Sequence, residues 1–421
     1  MNFVNKKYLI NCILCLVIIC LVSGTTSLAS ELEPIKIGTI FPRSGPMAFL
    51  GEHGWIGCEI ARQIVNENGG VNGREVIFIN GDAPDSQAAA TEAERMISQY
   101  GVEAIIGSYS SGNSLAISAV TERNGVVLWE VHGIADAITS RGFKYLFRYS
   151  DLASRRGKIA NDFILNVISP MLNIPKNEIR VAVFTEDSSY GESLAQGLLK
   201  RAKEMGVNIV THERYASSSI DLTSAILRLM ESKPDVVFIA SYVNDAILFW
   251  NQAQQYGADF KVVIAGGGGY IDPEFGKAQG KGANGLLVVD APTNLSLDMY
   301  KYDENREVAR RYHSIYKDMT GEDIVPLCTD EAMGGTYVFL SEVLPKAGPS
   351  YDADSIAEVV RTIDVKESIG TAWPVRFDET GQNMGDLAVV NQWENGATKI
   401  VWPPKYAVKE INNISLPVFQ K

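Results

Sequence analysis

The chain contains few of the residues on which metal sites and covalent catalysis depend. Its 421 residues include only four histidines and five cysteines. None of these has the spacing of a zinc site, a metalloprotease or a cysteine nucleophile. A Gly-x-Ser-x-Gly elbow is absent, and the four glycines at 266–269 lack the Lys-Ser or Lys-Thr of a phosphate loop. We therefore expect no catalytic residues, no metal and no cofactor.

Positive charge is also scarce. The 38 Lys and Arg residues are outnumbered by 50 Asp and Glu residues, which gives a formal net charge of −12 without any basic block. A chain of this kind is not expected to bind nucleic acid, and its charge favours a soluble monomer. Because 46% of the residues are apolar, a chain of this length has enough apolar side chains for two domain cores.

A long apolar run occurs only near the N-terminus. Lys6 and Lys7 precede an apolar segment at 8–22, and small residues follow it up to Ala29. The run has about 15 residues, fewer than the roughly 20 that span a bilayer. This pattern predicts a signal peptide over residues 1–29, cleaved after Ala29, and hence a periplasmic protein. An uncleaved anchor is the alternative.

Cleavage leaves two cysteines, because the other three lie in the signal. Cys58 stands on the apolar face of a predicted helix, so we expect it to be a small buried hydrophobic residue. A disulfide between Cys58 and Cys328 is the alternative in an oxidising compartment.

Strand-like apolar runs then alternate with segments of helical periodicity, first over residues 35–140 and again over residues 180–265. The first series ends in a short predicted helix near 135–140. A β-then-α order indicates parallel sheets covered by helices. We therefore predict an α/β protein with two doubly wound parallel-sheet lobes joined by a multi-crossover hinge. Lobe 1 is predicted at 30–150 and about 292–365, lobe 2 at 151–291 and about 366–405, and a C-terminal tail at 406–421.

The first strand, Ile35–Phe41, ends at a turn rich in proline and glycine and leads into an amphipathic helix. Such a turn places backbone N–H groups at the carboxyl end of a strand, where open α/β sheets bind their ligands. Together with the predicted export signal, it favours a secreted small-molecule receptor over a cytosolic enzyme.

Several short motifs carry a resemblance to a known family. The chain resembles the type I periplasmic solute-binding proteins of the branched-chain amino-acid ABC-transporter class over nearly the whole predicted mature length. The family's members resemble a flytrap with two lobes and a ligand in the cleft. The motifs are Ile35-Lys36-Ile37-Gly38, Ser44-Gly45-Pro46, Asn68-Gly69-Gly70, Ile106-Gly107-Ser108, Thr139-Ser140-Arg141-Gly142-Phe143, Asp187-Ser188-Ser189-Tyr190-Gly191 and Arg376-Phe377-Asp378.

The resemblance implies ligand contacts in the first lobe. Ser111, with Ser110 beside it, matches a loop serine that contacts a ligand carboxylate; the alternative role is a helix N-cap. His132 and Ile134 match positions that hold the ligand through backbone groups, with Gly133 between them. Here this stretch departs from the family's pattern. His132 could donate to an anion and Glu130 could hold a cation, or the two could contact only each other.

The resemblance also implies aromatic walls. Tyr190 and Tyr242 match residues that face the cleft, although each could instead be a packing residue. Leu50 stands where relatives have an aromatic residue over the ligand.

Gly268 is the main departure, since amino-acid-binding relatives carry an acid near this point to pair with the α-ammonium. The missing acid favours a ligand without an ammonium unless another acid, such as Glu130, replaces it. Arg43 is the unmatched cation that could pair with a carboxylate, or it could be a solvated turn residue.

The resulting functional prediction is an extracytoplasmic solute-binding component of an ABC importer. It would deliver a small amino-acid-like, carboxylate or amide ligand to membrane permease and ATPase subunits. A chemosensory or regulatory receptor with the same fold is one alternative, and an exported hydrolase is a more distant one.

Overall fold

The computed structural model describes residues 32–293, 295–385 and 388–411, together with residues 416 and 419. The predicted signal peptide over 1–29 and part of the predicted C-terminal tail lie outside these residues. In the part of the chain that is described, no helix combines the length and the apolar character needed to cross a bilayer.

The strands form two sheets. The strands of the described chain are β1 Ile35–Phe41, β2 Val76–Asp82, β3 Ala104–Gly107, β4 Val127–Glu130, β5 Leu146–Arg148, β6 Arg180–Glu186, β7 Asn208–Tyr215, β8 Val236–Ala240, β9 Val262–Ala265, β10 Leu287–Asp290, β11 Val389–Glu394 and β12 Ala397–Trp402.

Helices connect these strands. The α-helices of the described chain are α1 Ala48–Glu67, α2 Ser86–Arg95, α3 Ser111–Asn124, α4 Ala153–Phe163, α5 Ser169–Leu172, α6 Ser189–Met205, α7 Thr223–Glu231, α8 Val243–Gln255, α9 Pro273–Gln279, α10 Asp303–Thr320, α11 Leu327–Val338, α12 Leu344–Ala347 and α13 Ala353–Val360.

The first sheet has the order β2-β1-β3-β4-β5, and all of its pairs are parallel. The second has the order β12-β11-β10-β9-β8-β6-β7, and only the pairings of β11 are antiparallel. Strands β3, β4, β8 and β9 are buried along their whole length, as expected for parallel strands with helices on both faces. The strand order reverses between β1 and β3 in the first sheet and between β6 and β8 in the second, and ligand crevices form where such a reversal occurs.

The chain crosses between the lobes more than once. It passes from the first sheet to the second after β5. After β10 it returns to the first lobe, where α10 and α11 pack against α1. It then enters the second sheet again as the hairpin β11–β12. The predicted α/β class with two parallel-sheet lobes is therefore confirmed.

One local prediction was wrong, and one helix was not predicted. The structure has turns, not a short helix, over residues 135–140. The buried Arg148 guanidinium donates to the carbonyls of Gly133 (3.1 Å) and Ala135 (2.7 Å). These carbonyls thus accept from a side chain and not from the backbone N–H groups of a helix. Helix α4, which the hydrophobic pattern did not reveal, follows the first crossover and packs against α6.

Residues 365–385 lie mostly in the range predicted for lobe 2, yet their described contacts include the first sheet. Gln382 forms a parallel bridge with Arg148 of β5, and the Phe377 ring lies 5.3 Å from that of Trp129. The second sheet is rejoined only at β11. The other predicted lobe boundaries remain predictions.

The two described cysteines are both buried and free, so the alternative of a Cys58–Cys328 disulfide is not realised. Cys58 is the expected buried residue of α1, and its Sγ accepts a hydrogen bond from Thr336 Oγ1 at 3.1 Å.

Candidate ligand-binding site

A cavity lies between the lobes, at the carboxyl ends of strands from both sheets. This is the position expected of a small-molecule site in a protein with parallel sheets. Its lining residues are Leu50, Tyr109, Ser111, His132, Ile134, Arg156, Tyr190, Tyr242, Gly268, Ile271, Asp272, Asp290, Leu327, Cys328 and Glu331.

The structure brings together seven of the eleven predicted ligand-binding residues, although their binding role remains a prediction. These seven are Leu50, Ser111, His132, Ile134, Tyr190, Tyr242 and Gly268. Four others do not line the cavity: Arg43, Ser110, Glu130 and Gly133.

The two serines of the β3–α3 loop have separate roles. Ser110 is the N-cap of α3, and its Oγ accepts from the backbone N–H of Asn113 at 3.2 Å. Ser111 faces the cavity, and its Oγ accepts from the N–H of Ala135 at 3.1 Å. The hydroxyl proton of Ser111 can therefore be donated to an anion in the cavity, beside the positive end of the α3 dipole.

Glu130 lies beneath the cavity and is fully buried. Its carboxylate accepts three backbone N–H groups: from Ser108 at 2.9 Å, His132 at 2.8 Å and Gly133 at 2.7 Å. The predicted use of Glu130 for a ligand cation, and of Gly133 as a cavity residue, is therefore not supported. Burial raises the pKa of Glu130 to about 7, opposed by these hydrogen bonds.

The His132 ring lies between two carbonyl groups. Nε2 is 2.6 Å from the Cys328 oxygen and Nδ1 is 3.1 Å from the Ser108 oxygen. Burial lowers the pKa of His132 to about 4, so near neutral pH the ring carries one proton and donates to only one of them. We therefore see no ring N–H left for the anion contact considered from the sequence.

Tyrosine rings form one wall of the cavity. The ring centroids of Tyr190 and Tyr242 are 5.1 Å apart, and that of Tyr109 is 6.2 Å from Tyr242. The Tyr190 hydroxyl is buried and has no hydrogen-bond partner among the residues that the structure describes. A buried hydroxyl without a partner costs free energy, so a ligand atom that accepts or donates here would be stabilising.

The glycine loop after β9 makes room for polar groups. Gly268 has a φ of +60°, and a Cβ at this position would lie 2.5 Å from the Tyr190 hydroxyl. At Gly267, where φ is +98°, a Cβ would lie 2.4 Å from an Asp290 carboxylate oxygen. The glycines of this loop therefore leave space that the Tyr190 hydroxyl and the Asp290 carboxylate occupy, and an acid at position 268 would collide with Tyr190.

Arg43 lies outside the cavity because it is already partnered. Its Nε forms an ion pair with Glu52 at 2.6 Å, and its guanidinium carbon lies 4.0 Å from the ring centre of Trp55. The predicted pairing of Arg43 with a ligand carboxylate is not supported by this arrangement.

Sequence reasoning missed eight lining residues, and three of them form one buried ion-pair cluster. Arg156 was missed because helix α4 was missed. Asp290 carried a usable signal, since it ends a buried strand at the carboxyl edge of the sheet. The periodicity of α11 gave no sign that Glu331 faces the cleft. The other five are Tyr109, Ile271, Asp272, Leu327 and Cys328.

We call the buried group formed by Asp151, Arg156, Asp290 and Glu331 the charged corner. The Arg156 guanidinium contacts Asp290 directly, lies 3.6 Å from Asp151 and lies 3.5 Å from Glu331. Arg156 belongs to the second lobe, whereas Glu331 lies on α11, which packs in the first. One cation thus contacts carboxylates on both sides of the cleft.

The carboxylates of the charged corner are not fully compensated. Burial raises the pKa of Glu331 well above its usual range, and the neighbouring Asp290 and Asp151 act in the same direction against Arg156. Burial also raises the pKa of Asp290, with Arg156 opposing. Within the described residues, no group of three or more His, Cys, Asp or Glu side chains is arranged to hold a metal ion.

Two α/β lobes with a cavity between the carboxyl ends of their strands have the architecture of a two-lobed binding protein. The family model described as periplasmic binding protein matches residues 34–397. The chain belongs to the periplasmic binding protein family.

Relatives and solved structures agree with this assignment. The chain is 32% identical over 392 residues to Leu/Ile/Val-binding protein homolog 8 of Brucella suis, covering 92% of this chain and 95% of the relative. A leucine-binding protein from Thermotoga maritima is similar with a TM-score of 0.76 at 25% identity, over 88% of this chain and 99% of that one. A benzoate complex of a solute-binding protein from R. palustris shares the fold with a TM-score of 0.75 at 17% identity, over 90% and 99%.

The resemblance found in the sequence is therefore confirmed, as is the two-lobed fold. Members of this family are solute-binding proteins, and the family's name implies a periplasmic location.

Proposed function

We propose that the protein is the extracytoplasmic solute-binding component of an ABC importer, and that it captures a small amino-acid-like ligand by hinge closure. Support comes from relatives named Leu/Ile/Val-binding protein homologs and from the cavity between the lobes. Leu50, Ile134 and Leu327 give this cavity an apolar part, and Ser111 gives it a hydroxyl beside a helix N-terminus.

The observation that carries the proposal is the Tyr190 hydroxyl. It is buried, it borders a cavity walled by both lobes, and the described residues leave it without a hydrogen-bond partner. In a folded protein such a group is expected to meet water or a ligand. Because the ligand contacts both lobes only when they approach each other, it stabilises the closed form by differential contacts.

Outside the cavity, the structure shows polar contacts that a closed form uses. Asn244 Nδ2 donates to the Pro46 carbonyl at 3.1 Å, and the Asp136 N–H donates to Ser193 Oγ at 3.2 Å. Each of these joins the first lobe to the second. Such contacts can form when the lobes close and break when they open, so the proposed mode of action is binding and release.

The proposal includes partners and processing. The signal over 1–29 is cleaved after Ala29, and the mature chain works as a monomer that delivers its ligand to membrane permease and ATPase subunits. Genes for such subunits next to the gene of this protein would support an importer, and their replacement by a membrane kinase would indicate a sensor.

The experiment uses the mature chain from residue 30, refolded to remove any carried-over ligand. Thermal unfolding is measured with leucine, isoleucine, valine, aromatic and aliphatic carboxylates, and amides. A ligand at 100 times its Kd should raise the free energy of unfolding by about 2.7 kcal/mol. Small-angle scattering should show a smaller radius of gyration with the same compound.

Ser111→Ala should weaken this binding, whereas Ser350→Ala, which changes an exposed serine far from the cavity, should not. If no compound of these classes shifts the unfolding temperature or compacts the protein, the proposed ligand class is wrong.

A further inference from the structure

We propose that the ligand carries a cationic nitrogen, and that this nitrogen binds between Glu331 of the first lobe and Asp290 of the second. The inference rests on the proposed function and narrows its ligand to compounds with an ammonium group. It makes Glu331 and Asp290 specificity-determining residues of the site.

The argument begins with the charges. Asp151, Asp290 and Glu331 are three buried carboxylates, and the guanidinium groups that contact them belong to Arg155 and Arg156. Among the described residues, and with all three carboxylates ionised, the cluster is therefore one positive charge short of balance, a charge that a proton can supply in the ligand-free protein. Buried charges are tolerated when they are paired, so a single additional cation would complete the cluster.

The carboxylate with the weakest support is Glu331. The hydrogen bond that the structure gives it, within the described residues, comes from Arg156 at 3.5 Å, the limit of such a bond. Asp151 is shared by Arg155 and Arg156, whereas Asp290 contacts Arg156 directly and accepts the Ala291 N–H at 2.7 Å. The missing charge is therefore expected beside Glu331.

A second observation points to a ligand at the same place. Tyr190 lines the same cavity with its buried hydroxyl unpartnered among the described side chains. Its ring and that of Tyr242 offer aromatic faces, which attract a cation within about 6 Å. A polar group and a cation are thus both expected where the cavity meets the charged corner.

Asp272 also lines the cavity but is engaged elsewhere. Its carboxylate caps α9 by accepting the Glu274 N–H at 2.8 Å. Asp290, in contrast, approaches the glycine loop so closely that a side chain at Gly267 would collide with it. The acid that the sequence lacks at Gly268 is therefore supplied by a neighbouring strand and by α11.

The cation also couples ligand chemistry to closure. Bringing the lobes together moves Glu331 towards Asp290, so that without a ligand the two carboxylates either repel each other or share a proton. An ammonium between them converts this repulsion into attraction. A compound with the same apolar body but no ammonium leaves the repulsion in place.

The test compares matched compounds by calorimetry. Leucine is paired with 4-methylpentanoate, and phenylalanine with 3-phenylpropanoate, so that each pair differs only in the ammonium. The proteins are the mature wild type, Glu331→Gln, Asp290→Asn, and Glu342→Gln as a control. Glu342 is a partly exposed glutamate that pairs with Lys346, away from the cavity.

We expect at least one amino acid to bind the wild type and the control at least 100-fold more tightly than its partner without the ammonium. Glu331→Gln should remove most of this difference while the ligand-free protein remains folded, as judged by circular dichroism. Asp290→Asn gives a second reading with the same expected result.

Three outcomes would overturn the inference. If the compounds without an ammonium bind and the amino acids do not, the site takes anions and the proposed function still stands. If an amino acid binds Glu331→Gln and Asp290→Asn as tightly as it binds the wild type, its ammonium is held elsewhere. If no compound binds the folded wild type, the proposed function fails and this inference fails with it.

Discussion

Two glutamates are buried next to the cavity, and they differ in the hydrogen bonds that their carboxylates accept. Glu130 accepts three backbone N–H groups within 2.9 Å, whereas Glu331 receives one guanidinium hydrogen bond at 3.5 Å. Both have a raised pKa because both are buried. Burial alone therefore does not identify a binding residue.

The contrast shows that unused hydrogen-bond acceptors, and not burial alone, indicate a binding residue. The acceptor capacity of Glu130 is used by the loop that it supports, so its removal should affect folding. The capacity of Glu331 is largely unused, so its removal should affect binding. The following predictions test this difference between the support under the cavity and the charged corner.

The largest effect is expected from Glu130→Ala. This change leaves the N–H groups of Ser108, His132 and Gly133 buried without their acceptor, and each such loss costs about 1–3 kcal/mol. The free energy of unfolding of the ligand-free protein should fall by about 3 kcal/mol or more, measured by urea denaturation.

Glu331→Gln is the matched control, because it removes a buried carboxylate that few groups contact. It should leave the ligand-free stability unchanged or raise it, because glutamine is neutral like the protonated acid that burial favours at Glu331. Equal destabilisation by the two variants would show that the contrast between these glutamates is wrong.

Arg156→Met should have the next largest effect. Methionine removes the cation shared by Asp151, Asp290 and Glu331, and uncompensated buried charges cost about 3 kcal/mol or more. Urea denaturation should show this loss, and adding Glu331→Gln to the same protein should recover part of it. Strict additivity of the two changes would mean that Arg156 and Glu331 do not interact.

The fold could be predicted largely from the sequence, because strand and helix periodicities are local. Strands β3, β8 and β9 have continuous apolar sequences, as buried parallel strands do. The turn over 135–140 could not be predicted in this way. Its backbone is fixed by Arg148 from another strand, and a local pattern does not contain that contact.

The site was predicted only in part. Ser111, Tyr190 and Tyr242 follow strands directly, so their places at the carboxyl edge could be inferred. Arg156 and Glu331 lie on helices from different lobes, and only the crossovers bring them within 3.5 Å of each other. A charge balance that spans the cleft is a tertiary property, so the missing acid at Gly268 could not decide by itself whether the ligand carries an ammonium.

Ligand affinity should depend on pH through Glu331. Its raised pKa means that the ligand-free protein retains a proton that an ammonium ligand would displace. Asp290, Asp151 and Asp330 raise this pKa and Arg156 lowers it. Affinity for an amino acid should therefore increase with pH, by up to about tenfold per unit, and level off above the pKa of Glu331.

Calorimetry in two buffers of different ionisation enthalpy measures the released proton directly. Glu331→Gln should release none and should show a flatter profile. A wild-type affinity that is constant between pH 5 and 8, without proton release, would contradict the proposed charge pairing.

Gly268→Ala should have a moderate effect on both properties. A left-handed alanine costs about 1–2 kcal/mol, and its Cβ would press on the Tyr190 hydroxyl. We expect this loss of stability. We also expect about tenfold weaker binding, which corresponds to a loss of about 1.4 kcal/mol in binding free energy. Gly206→Ala is the control, since Gly206 has a φ of +70° but open space around its Cβ; it should cost stability without changing affinity.

Arg43→Gln should have the smallest effect, although the sequence made Arg43 the best unmatched cation. Its ion pair with Glu52 is partly exposed, and such pairs contribute about 0–1 kcal/mol. We expect the free energy of unfolding to change by less than about 1 kcal/mol, with ligand affinity within about twofold of the wild type because Arg43 lies outside the cavity. A tenfold loss of affinity measured by calorimetry would mean that Arg43 leaves Glu52 to meet the ligand. The charged corner would then share its role with the first turn of the chain.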